Sequence, residues 1–529
     1  MKPLRIDTLG DLPPSIGVPR YNPREVKIGI AHIGATSNFG RAFLMPHFDR
    51  ALNNQQNDGR ELNHGVVSIK TTSSAIPYSL SNMQAQEGLY TVISRNGSIE
   101  YDVVGAVRQV MNYNDDPKAV IDRLANPAIK MITITGSQSA YYLNADGDGL
   151  DKSLPAVKAD MVNPFQPITM PGILMAALKQ RQDNGIEAPL IISCDNLSNN
   201  GAKLGTVLRQ YNEATKLCTP KYMATLKTPN TMVDRITPEQ DNDVNASLMR
   251  TKGVVDHAAV TAEGFSKFMI EQPVTTDIRL TELARAGAII VKDLKPYEDM
   301  KLRGLNGPHM ALALVGILSG QSMVSEALAV PFIRPFVKRL MNQAVDTAQL
   351  PVTEKAGFPS EAISRFDNVN MPDTLPRLVK DTSSKVSARL INYGAIERGE
   401  GYDASAFAVA AWMRFMQGTD RNGNSLTIED RNKAALSNTL NAAGFNTEKF
   451  LLSAGAKIFD VSALGENGLA KAQPFIAKVD AYYRDINKRG VEVALERAFG
   501  LEDTPRPHRP QSGQLAQAHT GVSHNKFNL

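Results

Sequence analysis

Apolar and polar positions change their period near residue 300. Ahead of that point the apolar residues come in short runs: Val26–Ile33 (VKIGIAHI), Gly65–Ile69 (GVVSI), Met131–Thr135 (MITIT) and Pro189–Ser193 (PLIIS). Runs of this length, rich in Val and Ile and closed by Gly, Ser or Asn, predict buried strands. Helical spacing separates them, as near 170–185, and strands alternating with helices predict a largely parallel sheet with its sites at the strand C-terminal ends. From about 300 onward the stretches 304–345, 360–395, 403–418, 428–442 and 466–499 carry apolar residues at helical spacing, and no convincing strand follows. The expected fold is therefore α/β followed by all-α. Residues 1–295 form the sheet-bearing domain, with a Pro-rich arm over 1–24, and 296–500 form a helical domain. Residues 501–529, rich in Pro, Gln, His and Ser, form a tail expected to be disordered. There is no internal repeat.

Composition narrows the class. A chain of 529 residues exceeds one ordinary domain and fits two or three. The net charge of +4, with signs intermixed, does not make a nucleic-acid-binding surface. The two cysteines, Cys194 and Cys218, form no disulfide framework and no C-x-x-C zinc site. His508, His519 and His524 are scattered through the tail and are not expected to bind metal. The N-terminus (MKPLRIDTLGDLPPSIG) lacks an apolar core of signal-peptide length, and no run of about 18 apolar residues occurs. A soluble, cytoplasmic protein with no membrane partner is expected.

Candidate chemistry sits at the strand ends and at the change of period. Gly34–Ala42 (GATSNFGRA) follows the first strand and leads into a helix, the arrangement that aims backbone N–H groups at a pyrophosphate. The G-x-G-x-x-G pattern is absent, since Thr36 stands where a second glycine would be. After the second strand come Lys70, Thr71, Thr72, Ser73 and Ser74: one cation, four hydroxyls and no carboxylate. That set suits a 2′-phosphate better than a bare ribose, although an ordinary polar loop has the same composition. Asp195 and Asn196 end the fourth strand, and Asp234 and Arg235 lie between apolar neighbours in PNTMVDRITP. Just ahead of the apolar run 310–318 stand Lys301, Asn306 and His309. On an α-helix they lie within about 140° of one another and share a face. A half-buried lysine there would have the depressed pKa that a base requires. An amphipathic helix with a solvated lysine would show the same spacing.

Several of these stretches together resemble the mannitol dehydrogenase family, the polyol-specific long-chain dehydrogenases, over about residues 26–500. The family's K-x5-N-x2-H is similar to Lys301, Asn306 and His309 within Y-E-x-x-K-L-R-x-L-N-G-x-H from Tyr297. Its S-C-D-N-L-x-x-N-G stands at 193–201 and its P-N-T-M-V-D-R-I-T-P at 229–238. The resemblance implies an expanded Rossmann-type NAD(P)-binding domain, a mostly helical substrate domain and an active site in the cleft between them. It implies metal-free hydride transfer between a polyol and its 2-ketose, of the D-mannitol/D-fructose type. Lys301 would act as general acid/base, Glu298 would exchange its proton with solvent, and Asn196 and Asn306 would hold the substrate oxygen. His309, Asp234, Arg377 and Lys385 would contact the other hydroxyls, the last two on the weaker match PDTLPRLVKDTSSK. Gly34, Phe39, Arg41, Lys70 and Asn196 would meet the cofactor. Relatives are often monomers, so a monomer or weak homo-oligomer is expected, with a small sugar or polyol as partner. The chemistry agrees: a secondary alcohol is a poor acid, and without clustered His/Cys ligands its oxidation needs a positioned base and oxyanion donors.

The chain departs from the family in its cofactor half. The family turn G-x-G-x-F-H-R-A-H is here GATSNFGRAF, with an apparent insertion and without the second glycine or either histidine. The family's T-E-K-G-Y is Ser137–Tyr141 (SQSAY), so its carboxylate becomes Gln138, and the acidic residue many NAD-using members have after the second strand becomes Lys70. NADP(H) is therefore the expected preference, with NAD(H) possible and no metal. The same chemistry on a hexuronate (fructuronate/mannonate) or a sugar phosphate stays open. So does a non-catalytic binding protein on this scaffold, which the altered turn would suit.

Overall fold

The computed structural model of the chain describes residues 2–500, apart from 36, 56–63, 73–77, 137, 239–242, 273–277, 421, 443 and 454–457. The expected 501–529 tail, Thr36, Ser73, Ser74 and Ser137 lie outside the described residues. The four apolar runs form strands Lys27–Ile33, His64–Lys70, Met131–Ile134 and Leu190–Ser193, and a fifth, Val107–Asn112, joins them. All pair in parallel, in the order 107–112, 64–70, 27–33, 131–134, 190–193. Both faces are buried, which is why the runs lack polar alternation. Ile191 packs with Ile33, Ile134 and Leu174 on one face, whereas its neighbour Ile192 packs with Phe43, Phe48 and Phe268 on the other. The strand order turns back on either side of Lys27–Ile33. That leaves a crevice beyond the C-terminal ends of Ile33 and Ile134, the usual place for a dinucleotide.

Two smaller sheets, not expected from the pattern, complete this half. One runs Val260–Glu263, Tyr90–Arg95, Ile99–Val104, and the other Ile289–Val291, Lys267–Glu271, Thr231–Asp234. Their strands are short, and Ile99–Val104, Lys267–Glu271 and Ile289–Val291 are only partly buried, so no clear period marks them. The N-terminal arm is more regular than expected: Lys2–Pro3 pairs with Val254–Val255, and Leu4 and Ile16 are buried.

Beyond Ile289–Val291 every described element is helical. The expected run 304–345 breaks into Gly307–Leu318, Val324–Ala329 and Ile333–Thr347. The first break is a glycine stop. Gly320 takes φ +80°, and the Gln321 N–H returns to the Gly316 carbonyl at 2.9 Å. Ala404–Met416, all buried, form the axis of this half, against which Gly307–Leu318 and Gly468–Arg489 pack. No helix among the described residues is long and apolar enough to cross a membrane. The halves are tied across their boundary. Arg365 bonds Asp234 and Glu263, and the Asn368 amide donates to the Arg95 carbonyl at 3.0 Å.

Candidate active site

Lys301 does not sit on the α-helix that the spacing predicts. Helix Lys295–Met300 runs into a π-helix, Lys301–Asn306, before α-helical pairing resumes at Gly307–Leu318. The cause lies in the sequence. Pro308 has no N–H to give the Gly304 carbonyl, and its ring crowds that oxygen, so the turn widens ahead of it. A π turn closes on residue i+5, so Asn306 comes closer to the Lys301 face than the roughly 140° of an α-helix would allow. Gly307 lets the next chain approach: a Cβ there would lie 2.2 Å from the Arg389 carbonyl oxygen.

Lys301 is 9% exposed. Its ammonium donates to Asn196 Oδ1 at 3.1 Å and to the Val233 carbonyl at 2.7 Å. Burial holds its pKa below the ordinary lysine value, Asp234 opposes that shift, and Arg365 and Arg389 add to it. The pocket in front is lined by Asp195–Ser198 and Thr231–Val233 from the sheet half and by Glu298, Lys301, Leu302 and Asn306 from the helical half. Burial raises the Glu298 carboxyl. A second depression shares Lys301 and Met232 and adds Asp234, Lys267, Glu361 and Arg365.

The strand-end motif is legible in physical terms. In SCDNLSNNG the buried Asn200 stitches two strands together: its amide donates to the Asp195 carbonyl at 3.0 Å and to Thr231 Oγ1 at 2.9 Å, and Oδ1 accepts from the Thr231 N–H at 2.9 Å. A Cβ on Gly201 would lie 2.1 Å from the Pro229 carbonyl oxygen. These contacts fix the turn that presents Asn196. Beneath it Asp195 accepts from the Gly136 N–H at 2.7 Å and from the Tyr141 hydroxyl, and burial pushes its carboxyl up to about 6. Cys194 is wholly buried, and burial raises its thiol.

The other predicted residues divide. Asp234 faces Lys301 but is gripped by Arg365 at 2.9 and 3.0 Å. Burial would raise its pKa, yet Lys301 and Arg365 hold it below the ordinary value. Arg365 carries no motif signal, because its partners are distant in sequence. His309 stacks on Phe366 at 4.2 Å, with Nε2 3.9 Å from Asp373, and burial depresses it to about 4. Arg377 pairs with that same Asp373 at 2.7 Å. Lys385 donates to the Lys380 carbonyl. Arg377 and Lys385 thus bond their own segment in this structure.

In the cofactor half, Gly34 takes φ +126°, and a Cβ would lie 2.2 Å from the Thr135 carbonyl oxygen. The helix beginning at Asn38 points its N-terminus at the crevice, with the Gly40 N–H capped by Ser37 Oγ at 3.2 Å. The backbone there fits a pyrophosphate. This helix also contains a π turn, Gly40–Leu44, ahead of a proline, Pro46. Such a turn holds one residue more than an α turn and so absorbs the apparent insertion. The Ala42 carbonyl that Pro46 cannot reach accepts from Arg235 instead. Arg41 does not face the crevice: it is 2% exposed and donates to the Ala258 carbonyl at 2.5 Å. Phe39 stacks on Phe43 at 4.7 Å. Lys70 is buried and donates to the Thr72 carbonyl at 2.7 Å. Among the described residues no three His, Cys, Asp or Glu side chains are grouped to hold a metal ion.

Comparisons with known proteins agree with this geometry. The mannitol dehydrogenase Rossmann domain model matches residues 28–282 and the mannitol dehydrogenase C-terminal domain model matches 293–484. Mannitol dehydrogenase DSF1 of Saccharomyces cerevisiae is 30% identical over 437 residues, 81% of this chain and 85% of its own. The solved Pseudomonas fluorescens mannitol 2-dehydrogenase, a ternary complex with NAD and D-mannitol, superposes with TM-score 0.74 at 26% identity, covering 94% of this chain and 99% of its own. A substrate-free D-sorbitol dehydrogenase gives 0.77 at 27%, covering 93% and 100%. With both halves matched in order and the lysine pocket at their junction, the chain belongs to the mannitol dehydrogenase family of oxidoreductases.

Proposed function

We propose that the protein interconverts a polyol and its 2-ketose by hydride transfer with NAD(P)H, with Lys301 as the general acid/base. The observation that carries this reading is the Lys301 environment: a buried ammonium on Asn196, at the junction of the two halves, with its pKa depressed. The nicotinamide ring, when bound, accepts or donates the hydride. In oxidation neutral Lys301 takes the alcohol proton, and in reduction the ammonium returns it to the carbonyl oxygen. Because Asn196 Oδ1 accepts from Lys301, its amide N–H groups are left for the substrate oxygen, and Asn306, brought round by the π turn, offers a second amide. Two fixed donors where negative charge develops supply about 2.7–4 kcal/mol each in comparable sites. Glu298, in the same pocket, links Lys301 to solvent. The Lys70 cation and its hydroxyl neighbours support an NADP(H) preference, which requires the ammonium to leave the Thr72 carbonyl for the 2′-phosphate.

The test is absorbance at 340 nm with D-fructose, D-fructuronate and D-fructose 6-phosphate, each with NADH and NADPH. Reduction of at least one, with NADPH more efficient, is expected. No turnover with any of them despite cofactor binding would contradict the assignment, and higher efficiency with NADH would contradict the cofactor preference.

A further inference from the structure

PNTMVDRITP carries a second charged residue beside Asp234. Arg235 follows strand Thr231–Asp234, and its guanidinium meets three separate pieces of the sheet half. Nε donates to the Glu263 carbonyl at 2.9 Å, one terminal nitrogen to Ser94 Oγ at 2.9 Å, and the other to the Ala42 carbonyl. Ala42 lies in the π turn of the helix whose N-terminus faces the cofactor crevice, and Pro46 offers its carbonyl no helical donor. The same helix meets the segment again at its far end. There the Asn38 amide donates to the Pro238 carbonyl at 3.2 Å, while Asn38 Oδ1 accepts from Arg41 at 2.8 Å. On the near side of Arg235 the segment belongs to the lysine pocket. The Val233 carbonyl accepts from Lys301, and Asp234 is gripped by Arg365. Glu263 strengthens the middle: its carboxylate binds Arg365 and accepts from the Ile236 N–H at 2.5 Å. Residues 233–238 therefore run from Lys301 to the cofactor helix. A planar guanidinium with its donors in a fixed fork sets angle as well as distance between the pieces it joins, which a lysine ammonium does not.

We infer that Arg235 is a positioning residue for the cofactor: it fixes the helix that meets the pyrophosphate against the strand whose end bonds Lys301. This rests on the dehydrogenase reading above and deepens it. One element holds the cofactor and another holds the proton donor, and Arg235, with Asn38 as a second anchor, joins the two. Reacting atoms must come within about 3–3.5 Å, and a misplacement of about 1 Å can cost about 10²-fold in rate. A turn held in its binding geometry beforehand also binds more tightly, because less ordering remains to be done.

The test compares the wild type with Arg235→Gln, Arg235→Lys, Asn38→Ala and the double variant Arg235→Lys/Asn38→Ala. NADPH affinity is read by fluorescence, and hydride transfer by single turnover at saturating NADPH with the ketose that the wild type reduces, expressed per cofactor-binding site. In Arg235→Gln the NADPH Kd should rise about tenfold and transfer should fall about 10²-fold, and Arg235→Lys, which reaches one acceptor at a time, should restore part of both. The pH midpoint of transfer should stay at the wild-type value, because the partners of Lys301 are untouched. The double variant should lose less than the product of the two single losses, since both anchors hold one segment. A purely structural role would lower Tm and leave Kd and the rate per site alone. If Arg235→Gln does not fold, Arg235→Lys and Asn38→Ala carry the test. Kd and transfer both within about threefold of wild type in every folded variant overturn this inference and leave the dehydrogenase reading standing. A shifted pH midpoint also overturns it, since Arg235 would then act on the charge of Lys301. A wild type that binds NADPH but reduces none of D-fructose, D-fructuronate and D-fructose 6-phosphate overturns both.

Discussion

Replacing Arg365 by Gln should loosen the junction on which the site is built. Arg365 comes from helix Phe358–Phe366 in the helical half and donates to Asp234 at 2.9 and 3.0 Å and to Glu263 at 3.0 and 2.8 Å, both in the sheet half. The guanidinium also lies 4.1 Å over the Phe265 ring. The three charged side chains are 9%, 13% and 3% exposed, so water cannot replace the lost bonds. Breaking one partner of such a group costs about 3–5 kcal/mol. For a cooperative unit of about 250 residues the unfolding entropy is about 0.5 kcal/mol/K, so Tm should drop roughly 6–10 °C. The drop should depend on pH. In the wild type Arg365 helps hold Asp234 below its ordinary pKa and opposes the rise that burial imposes on Glu263. Without it both folded-state pKa values rise. A raised folded pKa stabilises at low pH and loses that contribution as pH increases, so the gap to wild type should be widest near pH 8 and narrow toward pH 5. Thermal melts by circular dichroism across that range read both effects. A drop of under about 2 °C near pH 8, or a gap that widens toward acid, would refute the reasoning.

Other substitutions probe the site itself. Gly307→Ala puts a Cβ 2.2 Å from the Arg389 carbonyl oxygen, so the segments must part by about 1 Å. Stability should fall by about 1–3 kcal/mol and kcat by about 10²-fold, whereas Gly97→Ala, with open space around it, should stay within about 0.5 kcal/mol. For the pH profile, log kcat/KM for alcohol oxidation should rise with pH and level off at a midpoint below the ordinary lysine value, and ketone reduction should fall over the same range. Asp234→Asn removes an anion that favours the ammonium, so both midpoints should move to lower pH; movement upward would contradict the assigned electrostatics. Lys70→Ala should reduce the NADPH-to-NADH efficiency ratio about tenfold if its ammonium meets the 2′-phosphate, and an unchanged ratio removes it from the cofactor site.

Much of the architecture is legible in the sequence because parallel strands buried on both faces read as largely apolar runs, and four of the five central strands do so. Val107–Asn112 does not, since its middle is only partly buried. The strand-end motif is readable for a related reason: Asn200 and Gly201 make contacts that no other side chain would satisfy in that space. The π turns are signalled less directly, by prolines two residues beyond the wide turn. Arg41, expected to meet the cofactor, instead serves the interior, because one arginine in a turn can reach either way and only packing decides. Arg365 left no local trace. Its significance comes from partners that the fold brings together from across the chain.

The central claim is that Lys301 moves the proton while the rest of the chain binds and orients. Single-turnover hydride transfer by Lys301→Ala, with cofactor affinity followed in parallel by fluorescence, tests it most directly. Loss of a general base costs up to about 10⁴-fold, so transfer should fall by about that factor with cofactor affinity close to wild type, and added methylamine should restore part of the rate. Transfer within about tenfold of wild type in that variant would mean that the proton takes another path and that the assignment of Lys301 is wrong.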